Sequence, residues 1–306
     1  MSGVFCLLIA NECLCPSFIR YQRPALSVTD QRLAIGESHK NNLYNLTNYL
    51  YIYLHLAIHR VYLSMSISLQ QFKDQVAIPL ASESSVAALI THFNSLPVTY
   101  ALAVVGGLSS PSKMPSYGYS TSAFRCKVGS VLAKVKGSAC NGCYARKNNY
   151  IRFPKIQAAL EVRYKSLSLG SVWVAAMVSA ISRKVSKDSS VFRWHDSGDI
   201  QSVNHLLNIA MVMRFLPSVR GWLPTREYGM VDACKDLPDN LIVRASAHML
   251  DASAPSRFPN TSIILTDNSL LPQGASLCPA YTQGGECKDC RNCWDKDIAV
   301  IAYPKH

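Results

Sequence analysis

Residues 278–294 read CPAYTQGGECKDCRNCW and place Cys278, Cys287, Cys290 and Cys293 within sixteen residues. A C-x2-C spacing puts two thiolates on one tight turn, within reach of one ion or one cluster. Here two such spacings follow each other, with a fourth thiol nine residues upstream. Four thiolates satisfy a tetrahedral zinc or a cubane [4Fe–4S] cluster. Zinc sites usually pair two C-x2-C knuckles across a longer gap, so three consecutive close cysteines favour iron–sulfur, with zinc the alternative. The chain has eleven cysteines in 306 residues. No basic n-region or cleavage site marks a secretory signal at its start. A reducing compartment, the cytoplasm, is therefore expected, and there clustered thiols are metal ligands before they are disulfides.

A second group precedes it. Cys126, Cys140 and Cys143 are spaced C-x13-C-x2-C. Three protein ligands leave one coordination position open, which marks catalytic or substrate-binding metals. This group holds its own cluster, borrows a ligand such as Cys234 or His195, or lends its C-x2-C pair to the first group. Cys6, Cys13, Cys15 and Cys234 have no matching partners, and Cys234 reads as core.

The charge is concentrated nearby. The whole chain carries +12, but from Lys113 to Lys187 fourteen Lys/Arg face one acid, Glu161. This surplus suits an anionic partner: nucleic acid, a phosphate, or the cluster itself. A solvated basic face is the plainer reading. The apolar run at 49–63 is short and broken by His55, His59 and Arg60, so no membrane span is expected.

Residues 1–64 lack periodicity and caps and read as a weakly structured leader, with a new start at Met65. Residues 65–306 read as a single α/β domain, with a cysteine loop at 119–150 and the cysteine segment at 278–294. The pattern predicts helices at 84–96, 154–167, 171–185, 202–216 and 228–237. It predicts strands at 98–107, 191–196, 220–227, 240–250, 261–267 and 297–305. Alternation implies a parallel sheet. The expected fold is a complete or partial TIM-like (β/α) barrel with a C-terminal cysteine-rich metal-binding segment, and a doubly wound open sheet is the second choice. Neither a dinucleotide fingerprint nor a P-loop occurs.

Polar residues collect where these strands end. FRWHDSGDI delivers His195, Asp196, Ser197 and Asp199; WLPTRE delivers Thr225, Arg226 and Glu227; VRASAHM delivers Arg244, Ser246 and His248. In a parallel barrel such strand ends face the active site. His195, Asp196, Asp199, Arg226 and Arg244 are the candidate catalytic residues, and Thr225 and Ser246 the candidate cofactor contacts. Helix capping is the competing role for Asp199, and an ordinary ion pair for each arginine.

CNGCYA, FRWHDSGDI, LPTRE and CPAYTQGGECKDCRNCW together resemble the motif series of the gene product 88-like phage and prophage proteins, over roughly Tyr119 to the C-terminus. Members commonly show C-x2-C-x2-C-W and an upstream C-Y-A. These are matched by Cys287, Cys290, Cys293 and Trp294, and by Cys143, Tyr144 and Ala145. The resemblance implies a mobile-element origin rather than a reaction. More loosely, three upstream cysteines feeding a barrel and a C-terminal cluster resemble radical S-adenosylmethionine enzymes with an auxiliary cluster, though the compact C-x3-C-x2-C is absent. That resemblance implies S-adenosylmethionine as a cofactor. The expected function is a redox or radical-type iron–sulfur enzyme acting on a small molecule or nucleic acid. The alternative is a metal-stapled protein that grips nucleic acid through residues 113–187.

Overall fold

The computed structural model describes residues 82–147, 149–188 and 190–305. The expected leader and the Met65 start lie outside the described residues.

Helices come first. α1 (Glu83–Ser95) begins at Ser82, whose hydroxyl accepts from the Ser85 N–H. α2 (Val98–Val105) occupies the segment expected as a strand at 98–107. A run of eight mostly apolar residues carries no period that separates a buried strand from a buried helix, so the end chemistry decides. Gly106 takes a left-handed conformation, φ 75°, and the Gly106 and Gly107 N–H groups bond back to Ala103 and Leu102. The Gly-Gly pair is thus a helix C-cap, not a strand end. A Cβ at Gly106 would also come within 2.9 Å of Val162 Cγ1.

α3 (Lys127–Leu132) and α4 (Asn149–Arg152) are short pieces of the first cysteine loop. α5 (Pro154–Ser166) carries Pro154 in its first turn, as expected of a residue with no N–H to satisfy. α6 (Ser171–Lys184) is buried without a break from Trp173 to Ile181 and packs on α1, α2 and α7 (Val203–Arg214). Its sequence WVAAMVSAI is apolar nearly all round, as a helix enclosed on every side requires. Ser202 caps α7 by accepting from the His205 N–H at 3.0 Å.

The sheet has seven strands: β1 (Gly118–Tyr119), β2 (Val191–Trp194), β3 (Arg220–Thr225), β4 (Leu241–Ser246), β5 (Thr261–Leu265), β6 (Ser276–Leu277) and β7 (Val300–Pro304). Their order is β1-β2-β3-β4-β5-β7-β6, and every pairing is parallel. The two-residue strands β1 and β6 are too short to show a period and have no counterpart in the sequence reading. α8 (Tyr228–Asp232) is half the length expected.

The ladder is open, with β1 and β6 as its edges. One main-chain bond joins the segment before β1 to the segment after β6: the Cys287 N–H donates to the Lys113 carbonyl at 3.1 Å. Met114 packs beside it, against Trp222, Cys293, Trp294 and Ile301.

The two faces of the sheet differ. Arg193, Trp222 and Ile242 lie in register across β2, β3 and β4, and Arg244 shares their face two residues on. The opposite face carries Phe192, Trp194 and Leu223, and meets α6 through Trp173, whose ring lies 6.1 Å from that of Trp194. Among the described residues no helix is long and apolar enough to cross a membrane.

Candidate metal centre at the strand rim

In a parallel sheet every strand's C-terminal end lies on the same rim. Cys278 follows β6 directly, and the loop bearing Cys126, Cys140 and Cys143 follows β1. The loop is drawn across the rim by three anchors. Ala139 N–H donates to the His248 carbonyl and Leu250 N–H to the Gly137 carbonyl, both at 2.9 Å. Glu227 Oε1 accepts from the Lys127 and Val128 N–H groups at 3.1 and 2.9 Å. A buried carboxylate thus caps the helix that Cys126 begins, where the backbone N–H groups favour negative charge.

The three thiols of this loop share one neighbourhood. Cys126 and Cys140 Sγ each lie 3.6 Å from where a Cβ on Gly129 would sit. Burial raises the Cys126 pKa, and Asp199, Cys140, Cys143 and Glu227 add to it. Burial also raises Cys140, against the opposing charge of Arg226. Arg226 and Arg146 are the cations beside Cys140.

The C-terminal four are gathered as well. All are free. Burial pushes Cys293 up to about 12, with Cys278 adding, and with Tyr303, Arg244 and Arg193 opposing. Burial raises Cys287 too, and Cys278 and Cys290 add to it while Arg193 and Arg291 oppose. Cys293 Sγ lies 3.1 Å from the Tyr303 hydroxyl. The donor chemistry, four free cysteines with Arg193, Arg244 and Arg291 beside them, is that of a thiolate-held metal. Among the described residues, however, no three His, Cys, Asp or Glu side chains are spaced to ligate one ion.

Arg244 is fully buried and donates to four main-chain carbonyls, those of Asn292, Cys293, Asp295 and Ile298, at 2.6 to 3.0 Å. Expected as a gripping residue of the rim, it instead clasps the cysteine segment to the sheet. Asn260 Nδ2 adds bonds to the Lys296 and Ile298 carbonyls, and Trp294 Nε1 donates to the Phe192 carbonyl at 2.8 Å. Arg244 of β4, Asn260 at the start of β5 and the Phe192 carbonyl of β2 thus fix the loop that carries Cys287, Cys290 and Cys293.

Arg193 joins the two groups. Its guanidinium lies over the Trp222 ring, 4.4 Å from the centroid, with Nη1 3.1 Å from Met114 Sδ. Burial works against its charge, but Tyr144, Asp196, Tyr303 and Cys293 outweigh it and raise its pKa. Tyr144 follows Cys143 directly, so the same cation faces the neighbours of both thiol groups. The sequence reading missed Arg193. The signal was its place in VFRWHD, one residue out of phase with Phe192 and Trp194, which marks it as facing the other side.

Asp199, Thr225, Ser246, Asp196 and Arg226 each bond within the fold. Asp199 accepts from Ile200 N–H, Thr225 Oγ1 and Arg226 N–H at 2.8, 2.6 and 3.0 Å, and burial holds its carboxyl up at about 6. Thr225 is therefore a bridge from β3 to Asp199. Ser246 accepts from Ser262 Oγ at 2.9 Å, and its carbonyl accepts from Tyr228. Asp196 accepts from the Tyr150 hydroxyl at 3.0 Å, and its carbonyl from Tyr144. Arg226 donates to the Ala247 carbonyl through Nε and stands near Cys140. His195 departs furthest from its expected place. It is buried at φ 60°, turned to His205 of α7 with ring centroids 5.3 Å apart, and neither ring nitrogen has a partner. Cys234 is buried just beyond α8, as a core residue.

The fold and rim define an open parallel α/β protein whose strand ends carry two groups of free thiols. The Gene product 88 family model matches residues 113–296, which include both thiol groups and the strands between them. The chain belongs to this family, the phage family its motifs resemble. No curated protein and no solved structure matches the chain, and nothing in these comparisons carries the looser likeness to radical S-adenosylmethionine enzymes.

Proposed function

We propose that the protein is an iron–sulfur protein of the cytoplasm, acting as a redox enzyme at the rim of a partial barrel. Cys278, Cys287, Cys290 and Cys293 hold a [4Fe–4S] cluster, and Cys126, Cys140 and Cys143 hold a second centre with an open position. The observation that carries this reading is the contact between distant segments. Cys287 N–H bonds to the Lys113 carbonyl, and Arg193 stands beside Cys287 and Cys293 and beside Tyr144, the residue after Cys143, so segments over a hundred residues apart in sequence meet at one cation. A bound cluster supplies one-electron transfer. The chain's part is to deprotonate and position the thiols, and to offset the cluster's negative charge with Arg193, Arg244 and Arg291.

Burial keeps Cys287 and Cys293 neutral until a metal displaces their protons. Binding therefore releases protons and tightens as pH rises. Anaerobic purification with iron, sulfide and zinc analysis tests the reading. About four irons and four sulfides at the C-terminal site are expected, with further iron at the second. Cys290→Ala should lose the C-terminal cluster and melt earlier. A colourless protein with stoichiometric zinc would remove the redox function and leave a zinc staple. A wild-type protein without metal would end the proposal.

A further inference from the structure

The basic stretch places a cleft beside the first cysteine loop. It has a volume of about 420 Å³ and runs between the turn at Ser122 and Phe124 and the start of α5 at Pro154 and Gln157. This is within the size range of a small-ligand pocket and large enough for a nucleoside. Ala145, Ala158 and Leu160 make its floor apolar. Aromatic rings stand exposed in and around it: Phe124 is 52% exposed, Tyr144 54% and Phe153 47%.

Exposing large rings is unfavourable in water, and here the rings are held in place. The Arg146 guanidinium lies 4.8 Å from the Phe124 centroid, and Arg152 lies 5.8 Å from that of Phe153. Tyr144 is fixed by donating to the Asp196 carbonyl and by an edge contact with Tyr150 at 5.9 Å. The acid of the cleft, Glu161, is neutralised by Arg125 at 2.8 Å, the one ion pair between residues 113 and 187 among the described residues. Lys127, Lys147, Arg152 and Lys155 are exposed and have no carboxylate partner there.

Rigid exposed rings interleaved with unpaired cations match a polyanion that also offers flat apolar faces. We infer that this surface binds single-stranded nucleic acid, with bases stacked on Phe124 and Phe153 and phosphates on Lys127, Lys147, Arg152 and Lys155. A base stacked on an aromatic ring contributes regardless of its identity, so the binding is sequence-tolerant. A duplex hides the base faces and should bind worse. The inference rests on the surface alone and not on any metal at the rim.

The test is fluorescence anisotropy of the full chain with labelled twenty-nucleotide single-stranded DNA, single-stranded RNA and duplex DNA over a salt series. Either single strand should bind more tightly than duplex. The slope of log affinity against log salt should be about −3, from four phosphate contacts at about 0.7 each. Phe124→Ala and Phe153→Ala should each weaken binding about tenfold, and both rings are exposed enough for the variants to stay folded, which the melting curve checks. Arg152→Glu with Lys155→Glu should flatten the slope, whereas Lys235→Glu, an exposed site outside the stretch, should not. Single-strand affinity unmoved by the two alanine variants, preference for duplex, or equal competition by poly-glutamate would overturn the inference, as would no binding at low salt.

Discussion

Replacing Arg244 with methionine isolates the clasp. The side chain is fully buried, makes no ion pair, and spends four of its five N–H donors on carbonyls of residues 292–298. A hydrogen bond from a charged group contributes about 1.5–3 kcal/mol net. The four cannot simply be summed, because burying the cation without a carboxylate costs several kcal/mol, the same cost that lowers its pKa. Methionine removes that cost but leaves the carbonyls of Asn292, Cys293, Asp295 and Ile298 short of donors. Asn260 still serves Ile298. With three carbonyls stranded at about 1–3 kcal/mol each and partial rescue by water, a net loss of about 3 kcal/mol is expected. Arg244→Lys, with three donors and no planar fork, should lose about half as much. Urea unfolding measures the loss, and the rate at which a thiol reagent reaches Cys287, Cys290 and Cys293 measures the loosening. Both variants should react faster than wild type, methionine most. A methionine variant within about 0.5 kcal/mol of wild type, with unchanged thiol rates, would refute the clasp.

The buried imidazoles set the acid response. Burial lowers His205 to about 3 and His195 well below its ordinary value, so below pH 6.5 the unfolded chain takes up protons that the folded chain refuses. Stability should fall from pH 7 to pH 5 by about 2 kcal/mol per imidazole. Asp199, held near 6, works the other way and returns about 1.4 kcal/mol over the same interval, because the folded state keeps its proton. Urea titrations of His205→Gln should therefore show a pH slope shallower by about 2 kcal/mol, and an unchanged slope would contradict the burial assigned to it. Gly198 has φ 81°, and an added Cβ would sit 2.2 Å from Thr121 Oγ1 and 2.7 Å from the Thr121 carbonyl. Gly198→Ala should thus cost about 3 kcal/mol in chemical denaturation, and a variant as stable as wild type would show that the β1 and β2 loops are not packed as described.

Much of this was legible in the residues. The strands β2, β3, β4, β5 and β7 and the helices α5, α6 and α7 fall where period and caps place them, because each is long enough to show its period. The segment at 98–107 was not legible, since a short apolar run fits either period and its Gly-Gly end serves a helix as readily as a strand. β1 and β6 are formed by tertiary pairing and carry no local signal. The cysteine spacing singles out the two thiol groups, and the strand ends single out the rim. What the residues did not disclose is who partners whom. Arg244 and Asp199 have the chemistry of ligand-binding groups, and both are consumed by the architecture: one by carbonyls brought from fifty residues away, the other by Thr225 and backbone N–H groups. His195 ended an apolar strand and pointed to the rim by count, but a left-handed turn at that residue swings it to the helices. Period-2 counting fails where the strand ends.

Metal-edge X-ray absorption on the anaerobically purified full chain bears most directly on the cysteine rim. Sulfur neighbours at about 2.3 Å, four per metal at the C-terminal site and fewer in Cys290→Ala, are the result expected from thiolate ligation. A metal surrounded by oxygen and nitrogen alone, with a spectrum that Cys290→Ala leaves unchanged, would show that the thiols hold nothing.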